Sequence, residues 1–585
     1  MFNKIEFMND TNIYVSLKED VEVKNNLLNA HVVIGDVEKQ LLGEIEEIKD
    51  RKVKIKLLGE FKNGELYGGV IRKPLLDAEI RPLTENEIPL ILGKTESNAL
   101  LLGTSPFYND HPIYLDVNKF FSNHFAIFGN SGSGKSCGLA RIIQNVFKNP
   151  NVVPYRSNFI MFDVSGEYIN AFSNLNTINP NFNYRVFTTS TTDNTMEKLR
   201  IPVWLLNVTD ISSLLMANSH SQIPMIEKTL KLARSFAEVG ENAINYKNHI
   251  IAKAIMGVLF SDSTPANKKN DIFKIVESCT TAQFSLNTEI QGIGYTRLFR
   301  DCFNIDKTGT FTEGILITEY VSKFIDSKFD SYEPSSNSYF TLNDFEKALE
   351  FTLISDGWFK NKQTYADAMT IRVRLHSLLT GPHSDIFTFP EYIDINQYMN
   401  YLFAPNGRKC QIVNINLEDM DDSMGAVITK IFTRIIFDYA KRIPNRGSVP
   451  FNILVEEAHR YIRNNDNDDF LYGYNIFNRV AKEGRKYGVM LGVISQRPVE
   501  LSDTVISQCS NFIIFKTNHP LDVEYIKNMI PNINTEIVEK QKGLQSGTCL
   551  GFGTAFKIPV IAKLEMPDPM PLSTNSDVVK YWTQQ

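Results

Sequence analysis

The sequence predicts an α/β protein in which a β-rich N-terminal module precedes a parallel sheet that a long helical insertion interrupts. Three observations lead to this prediction. Short alternating apolar segments fill the first 115 positions, wholly apolar runs alternate with helical patterns after residue 120, and residues 208–400 are mostly helical in pattern. Wholly apolar runs are typical of strands buried on both faces of a parallel sheet.

The overall composition is that of an ordinary globular protein. The chain has 585 residues, which is enough for about four domains at ~150 residues each. Hydrophobic residues make up 43% and charged residues 22%, so the chain is not a disordered one. Its net charge of -6, from 61 basic and 67 acidic residues, argues against a surface that binds nucleic acid nonspecifically, but a local basic channel stays compatible.

The cysteines and the N-terminus indicate the compartment. The six cysteines are scattered without a CxxC pair, which is typical of a reducing compartment and gives no zinc pattern. The N-terminus lacks the apolar segment of a signal peptide, and no run reaches the roughly 18 apolar residues of a membrane span. We therefore expect a soluble, cytoplasmic protein with no membrane segment of its own.

The N-terminal module is predicted to be a small β-barrel over residues 1–115. Its candidate strands lie at 12–17, 30–35, 53–58 and 113–115, and turn signals such as Lys62-Asn63-Gly64 separate some of them. Many short strands without helices between them favour a closed barrel, because closure removes exposed edges. Composition alone is also compatible with another small β-module.

The parallel sheet is predicted from six apolar runs at 125–128, 159–162, 412–415, 453–455, 490–494 and 512–515. The core therefore divides into a first part over 116–207 and a second part over 401–540, with the helical insertion at 208–400 between them. Residues 541–585 return to short strands with Pro and Gly and end in a tail.

A phosphate-binding loop lies between the first apolar run and a helical pattern. Residues 129–136, GNSGSGKS, match GxxxxGK[ST] in full. The glycines let backbone N–H groups converge on phosphate oxygens, the lysine reaches the β- and γ-phosphates, and the final serine hydroxyl is a ligand of Mg²⁺. The predicted nucleotide-binding residues are Gly129, Asn130, Ser131, Gly132, Ser133, Gly134, Lys135, Ser136 and Cys137.

Two consecutive carboxylates follow the apolar run at 453–455. Glu456 is predicted to hold Mg²⁺ through water, with Ser136 as the other protein ligand, and Glu457 to orient and polarise the attacking water. Consecutive side chains at the end of a strand face different directions, so that the two acids can serve two roles. The alternative is a polar junction between a strand and a helix without a catalytic role.

Two further polar groups are candidates for the same site. Gln496 follows the run at 490–494 and is predicted to sense the γ-phosphate or to place water; a simple strand cap is the alternative. Arg485, at the end of a helical pattern, is predicted to act as an arginine finger on a neighbouring subunit. Its alternative is an ordinary solvated cation at a helix end.

In its sequence motifs the chain resembles the HerA family of the FtsK–HerA branch of P-loop motors. The matching stretches occur in the order of the family, namely SNHFAIFGNSGSGKS (122–136), DVSGEY (163–168), VEEAH (455–459), KEGRKYG (482–488) and SQRP (495–498). The resemblance covers about two-thirds of the chain and leaves the insertion at 208–400 matched only in being helical. His124 also matches by position, but we expect it to be packed rather than catalytic.

The resemblance implies a RecA-like ATPase core, an N-terminal barrel like the HAS barrel of the family, and a homohexamer that binds ATP and Mg²⁺ between subunits. It implies phosphate and metal binding by Gly134, Lys135 and Ser136, and assigns Glu457 as the catalytic carboxylate, Gln496 as a sensor and Arg485 as the trans finger. The implied partners are double-stranded DNA in a central pore and an effector, either a NurA-like nuclease or a sirtuin-like NAD-hydrolysing enzyme.

Three functions are compatible with this resemblance. The first is an ATP-driven DNA translocase or helicase that feeds a nuclease, in DNA end processing or in antiphage defence. The second is a hexameric scaffold in which bound ATP stabilises the ring and the ring gathers effector enzymes. The third, a secretion or conjugation motor, is less favoured, because such motors usually reach the membrane through spans or anchors and the sequence shows none.

Overall fold

The protein is described from a computed structural model. The structure describes residues 1–18, 27–35, 39–335, 338–358, 362–464, 475–529, 540–573 and 578–583. These residues form an antiparallel N-terminal sheet, a large mixed sheet with helices on both faces, and a small hairpin. The predicted α/β class with a parallel core sheet is therefore confirmed.

The N-terminal module is a curled antiparallel sheet with the strand order β1-β2-β5-β4-β3-β7, and β6 pairs with β5. The ends of the sheet meet where Ile5 N donates to Leu76 O at 3.1 Å. The segment before β7, rather than β7 itself, faces β1 there, so that the described residues form a half-barrel instead of a fully closed ladder. The strands are β1 Phe2–Met8, β2 Asn12–Leu17, β3 His31–Gly35, β4 Gln40–Lys49, β5 Lys52–Lys62, β6 Glu65–Gly68 and β7 Glu79–Pro82.

The next hairpin corrects the predicted boundary at residue 115. It consists of β8 Ala99–Ser105 and β9 His111–Asp116, and it forms the edge of the large sheet. β8 pairs with a C-terminal strand through Thr104 and Lys563. The hairpin belongs to the large sheet because its buried residues, such as Leu102 and Ile113, pack in the same cluster as the helix after the phosphate loop.

The large sheet has a parallel centre and an antiparallel edge. Its order is β13-β12-β16-β11-β17-β18-β10-β19-β20-β21-β8-β9, and the pairs from β13 to β19 are parallel. The remaining strands are β10 His124–Phe128, β11 Phe159–Asp163, β12 Tyr184–Thr188, β13 Glu197–Lys198, β14 Glu289–Gly292, β15 Tyr295–Leu298, β16 Ile412–Asn416, β17 Phe451–Val455, β18 Val489–Ser495, β19 Cys509–Phe515, β20 Thr548–Gly553 and β21 Val560–Lys563; β14 and β15 form the small separate hairpin.

Both faces of this sheet are covered, which explains its wholly apolar strands. Along β10, Ala126 and Phe128 pack in the core shared with the helical insertion, whereas Phe125 and Ile127 pack in the core that contains α3, the helix after the phosphate loop. Because the strands are parallel, the loops after β10, β11, β17 and β18 emerge at one edge. This edge carries the candidate site.

The helices lie on the two faces of the large sheet. The stretch predicted as an insertion runs from α5 to α12 and includes the β14–β15 hairpin. The bounds are α1 Ile88–Leu92, α2 Val117–Phe121, α3 Lys135–Lys148, α4 Leu175–Ile178, α5 Val208–Leu214, α6 Gln222–Ala237, α7 Glu241–Leu259, α8 Pro265–Ser278, α9 Gly314–Ser322, α10 Leu342–Ser355, α11 Lys362–Thr380, α12 Ile395–Phe403, α13 Asp422–Arg442, α14 Ile476–Glu483, α15 Asp503–Ser507, α16 Pro520–Met529 and α17 Val578–Thr583.

In the part of the chain that the structure describes, no helix combines the length and the apolar character needed to cross a membrane. The cytoplasmic location stays a prediction.

Candidate functional site

The phosphate loop occupies the turn between the buried strand β10 and the helix α3. β10 is buried along its whole length and lies between β18 and β19. Helix α3 begins at Lys135, directly after Gly134. The first turn of the helix therefore points its free N–H groups toward the loop, as a phosphate site requires.

Close backbone approach requires glycine at Gly134. Its φ is 99°, and a Cβ atom there would lie 2.8 Å from Gly547 N. Gly547 N itself donates to Ser133 O at 3.1 Å, and Ser133 Oγ donates to Asn130 O at 2.7 Å. The C-terminal strands thus support the phosphate loop from outside.

Lys135, at the end of the phosphate loop, contacts Glu457, which follows β17. The Lys135 side chain is only 6% exposed, and its Nζ donates to Glu457 Oε1 at 3.1 Å. Glu457 comes two residues after the end of β17, which is separated from β10 by β18 in the sheet. The predicted phosphate-binding lysine and the predicted catalytic carboxylate are therefore in direct contact.

Glu456 points into the protein instead. It is 3% exposed, its N donates to Phe162 O at 3.2 Å, and its Oε2 has no hydrogen-bond partner. Burial, and then the charges of Asp163 and Glu167, raise the pKa of this carboxyl well above its ordinary value. A buried carboxyl oxygen without a donor is a position that a cation would stabilise.

Asp163 holds the turn after β11. Its Oδ1 accepts from Glu167 N at 3.0 Å, and its Oδ2 accepts from Tyr168 N at 2.8 Å and from Asn414 Nδ2 at 3.1 Å. Burial raises the pKa of Asp163, and these hydrogen bonds oppose that rise. Asp163 is therefore an anchor of the DVSGEY turn.

This turn brings Glu167 to the start of α3, a contact that the sequence analysis missed. Burial raises the pKa of Glu167, and a hydrogen bond with the Ser136 hydroxyl opposes the rise. Its Oε2 is buried without a partner. The signal in the sequence was the acid four residues after Asp163, but only the fold shows that it reaches Ser136.

The Ser136 hydroxyl and the Glu167 carboxylate beside it are oxygen ligands of the kind that Mg²⁺ prefers. Glu456, near enough to Glu167 for that charge to raise its pKa, adds a second unpartnered carboxylate oxygen. Among the described residues, no three His, Cys, Asp or Glu side chains lie close enough to hold a metal by themselves. The remaining ligands would therefore be phosphate oxygens and water, the usual arrangement for Mg²⁺ with a nucleotide.

Gln496 contacts the phosphate loop directly. It follows β18, and its Oε1 accepts from Ser131 Oγ at 2.8 Å. The structure therefore places this residue beside the phosphate loop. Cys137 lies in the first turn of α3, half-buried, with its Sγ 4.0 Å from Ser573 Oγ, and burial raises the pKa of its thiol.

Arg485 is the one predicted site residue that the structure does not bring to this edge. It is exposed and lies in the turn before β18, at the amino end of the strands. The length of β10, about 16 Å for five residues, separates this end from the phosphate loop.

Burial, and then the charge of Arg485, lower the pKa of the nearby His124 to about 4, and His124 Nδ1 accepts from Leu491 N at 2.9 Å. His124 is thus a packed neutral residue.

The chain is similar to helicases of the HerA type. The family model described as "Helicase HerA, central domain" matches residues 101–293. The DNA double-strand break repair helicase HerA of Saccharolobus solfataricus is 33% identical over 177 residues, which are 30% of this chain and 35% of that protein. The probable DNA double-strand break repair helicase HerA of Methanocaldococcus jannaschii is 24% identical over 559 residues, 94% of this chain and 90% of that protein. The chain thus spans only about a third of the length of the Saccharolobus relative.

Two solved structures are similar over most of the chain. VirB4 of Thermoanaerobacter pseudethanolicus has a TM-score of 0.45 at 12% identity, covering 81% of this chain and 98% of that one. The bacterial conjugative coupling protein TrwB has a TM-score of 0.46 at 9% identity, covering 83% and 92%. The sequence comparisons thus make this chain similar to helicases of the HerA type, with the matched region containing the phosphate loop.

Proposed function

We propose that this protein hydrolyses ATP and uses the energy to translocate double-stranded DNA through a ring of identical subunits. The observation that carries the proposal is the contact of Lys135 Nζ with Glu457 Oε1 at 3.1 Å. It joins a phosphate-binding cation and a carboxylate in one site, which is what hydrolysis of a triphosphate needs.

Each residue of the site has a separate role in the proposed hydrolysis of ATP. Lys135 turns from Glu457 to the β- and γ-phosphates when the nucleotide enters. Glu457, released from this pairing, accepts a proton from the attacking water. Gln496, held by Ser131, lies where it can orient that water against the γ-phosphate. Ser136, Glu456 and Glu167 would hold Mg²⁺, which neutralises charge that develops on the phosphates.

A neighbouring subunit completes this site in our proposal. Arg485 is exposed, and among the described residues it forms no ion pair. It lies at the strand end opposite to its own phosphate loop, so it can serve only the loop of another copy. Head-to-tail contacts of this kind close into rings, and we propose a homohexamer.

The nucleic-acid substrate is proposed from the relatives. The proteins of Saccharolobus and Methanocaldococcus are named as DNA double-strand break repair helicases, and we extend the action on DNA to this chain. The effector partner that we propose is a nuclease or a NAD-hydrolysing enzyme, either NurA-like or sirtuin-like, in end processing or in antiphage defence.

Replacing Glu457 by Gln tests the proposal. The amide cannot accept the proton of the attacking water, so the ATPase rate is expected to fall by about 100-fold or more, whereas ATP still binds. Turnover of ATP and displacement of a bound block along duplex DNA are measured on the purified ring. The control is Glu319→Gln on the exposed side of α9, which should keep both activities.

The same variant separates the motor from the scaffold. Wild-type turnover of ATP by Glu457→Gln contradicts the role of Glu457. Loss of turnover with full activity of the effector enzyme shows instead that the ring acts as a scaffold and that translocation is secondary.

A further inference from the structure

His459 lies between the proposed catalytic carboxylate and the end of a neighbouring strand. Its side chain is 9% exposed. Its Nδ1 is 3.3 Å from Glu457 Oε2 and 3.1 Å from Ser495 Oγ. One ring nitrogen thus contacts groups that follow β17 and end β18.

The hydrogen bond of the ring is the one between Nδ1 and Ser495 Oγ. Glu457 Oε2, 3.3 Å from the same nitrogen, has no hydrogen-bond partner in the structure and is free to accept one. Burial lowers the pKa of His459, and the carboxylates of Glu457 and Glu500 oppose this. The neutral ring, held by Ser495, therefore lies beside an unpartnered carboxylate oxygen.

Ser495 connects this contact to the phosphate loop. It is fully buried at the end of β18, and its Oγ also accepts from Arg497 N at 2.9 Å. The next residue, Gln496, accepts from Ser131 Oγ. His459 therefore lies between the carboxylate and the strand end that touches the loop.

The two oxygens of Glu457 face different groups, and only Oε1 has a hydrogen-bond donor in the structure. Lys135 holds Oε1 at 3.1 Å, and His459 lies 3.3 Å from Oε2. A bound triphosphate competes with Oε1 for Lys135, whereas the His459 contact stays available. Once the lysine turns to phosphate, the orientation of the carboxylate depends on the histidine.

We propose that His459 is a positioning residue that holds the Glu457 carboxylate toward the attacking water and links it to Ser495 and Gln496. The inference rests on the role proposed above for Glu457. It predicts that His459 affects the chemical step and leaves nucleotide binding unchanged, because the ring contacts the carboxylate and not the phosphate loop.

Two variants of His459 test this with the full-length ring. His459→Leu fills a similar volume with an apolar side chain and removes the ring N–H groups. The kcat for ATP is expected to fall by about 10- to 100-fold, as for other partners that orient a reacting group. KM and the affinity for a non-hydrolysable ATP analogue should stay unchanged. His459→Asn offers a side-chain N–H in a similar place and should recover most of the lost kcat. The control is His376→Leu, at a histidine on α11 that is 67% exposed.

Several outcomes overturn the proposal. Wild-type kcat in His459→Leu, an equal loss in His459→Asn, or a change that falls mainly on KM would each contradict it. If His459→Leu does not fold, Ser495→Ala takes its place; its kcat should fall severalfold at constant KM, and an unchanged kcat overturns the link. Wild-type turnover in Glu457→Gln refutes the role of Glu457 separately, whatever the histidine variants do.

Discussion

Glu457 has a backbone conformation that few residues other than glycine adopt. Its φ is 43° and its ψ is 44°, in the left-handed region, where a non-glycine residue costs about 1–3 kcal/mol. This turn separates two consecutive acids, since Glu456 is buried beside Asp163 and Glu457 reaches Lys135. The strain therefore lies at the residue whose orientation the proposed chemistry requires.

We predict that the substitution Glu456→Gln makes the nucleotide-free protein more stable at neutral pH. Burial and neighbouring acids raise the folded-state pKa of Glu456 above its unfolded value of about 4.3. The folded state then holds more protons than the unfolded state, so stability falls as the pH rises from about 4 toward the raised pKa. Gln avoids this loss, and the gain in melting temperature over wild type should be larger at pH 8 than at pH 5.

Thermal melts across this pH range measure the effect. The Gln variant is also expected to lose ATPase activity, since it removes a charged ligand from the place that suits Mg²⁺. A control is Glu319→Gln, for which the melting temperature should follow wild type at each pH. A Glu456→Gln gain that is the same at pH 5 and pH 8 would contradict the titration argument.

The sequence allowed most residues of this site to be predicted, for a physical reason. A glycine-rich loop, acids after a buried strand and an amide after another strand are local patterns, and parallel strands bring their carboxyl ends together. The contacts of Glu167 with Ser136 and of His459 with Ser495 depend on the register of strands far apart in the sequence. No local pattern fixes that register.

At the scale of elements, the six wholly apolar runs were predictable because burial on both faces removes every alternative to a strand. The antiparallel edge of the sheet was harder to predict. The sequence pattern of the β8–β9 hairpin is the same as that of the strands in the N-terminal module. The hairpin belongs to the large sheet because β8 pairs with β21, some 450 residues later in the chain. β12 was missed because Arg185 interrupts its apolar pattern, and β13 because its two residues, Glu197 and Lys198, are both charged.

The segment after β21, residues 564–573, runs back along α3, and we call it the C-terminal strap. Arg141 pairs with Glu565, Gln144 Nε2 donates to Pro569 O at 2.9 Å, and Asp568 N donates to Gln144 Oε1 at 2.9 Å. Leu572 N donates to Glu167 O at 2.7 Å. The strap thus connects the helix of the phosphate loop to the acid beside Ser136.

We predict that Gln144→Ala loosens the C-terminal strap. Gln144 is 1% exposed, and its loss leaves two backbone groups of the strap without partners, at a cost of about 1–3 kcal/mol each if they stay buried. Limited proteolysis should cut the C-terminus sooner, and the melting temperature should fall. Lys148→Ala, on the exposed end of the same helix, is the matched control. Equal cleavage rates in the two variants would show that the strap does not depend on Gln144.

At the scale of the whole molecule, the two ends of the sheet carry the two halves of the proposed shared site. Lys135 and Glu457 lie at the carboxyl end of the strands, and Arg485 lies at the amino end, beside the buried His124, whose pKa is lowered by burial and then by the charge of Arg485. A hydrolytic site that needs both halves cannot be completed within one copy. The proposed ring resolves this by bringing the arginine of one copy to the loop of the next.

Mixing two inactive variants tests whether the phosphate loop and Arg485 of different copies form one site. Lys135→Ala removes phosphate binding, and Arg485→Ala removes the finger but should leave ATP binding intact, so each ring alone is expected to be inactive. When the subunits are mixed in equal amounts, about one quarter of the interfaces join an intact loop with an intact arginine, and some ATPase activity should return. Mixing Lys135→Ala with Glu457→Gln is the control, because both changes damage the same half and no complete site can form. ATPase activity that stays absent in the first mixture, or normal activity of Arg485→Ala alone, would assign Arg485 to the solvent-exposed surface instead.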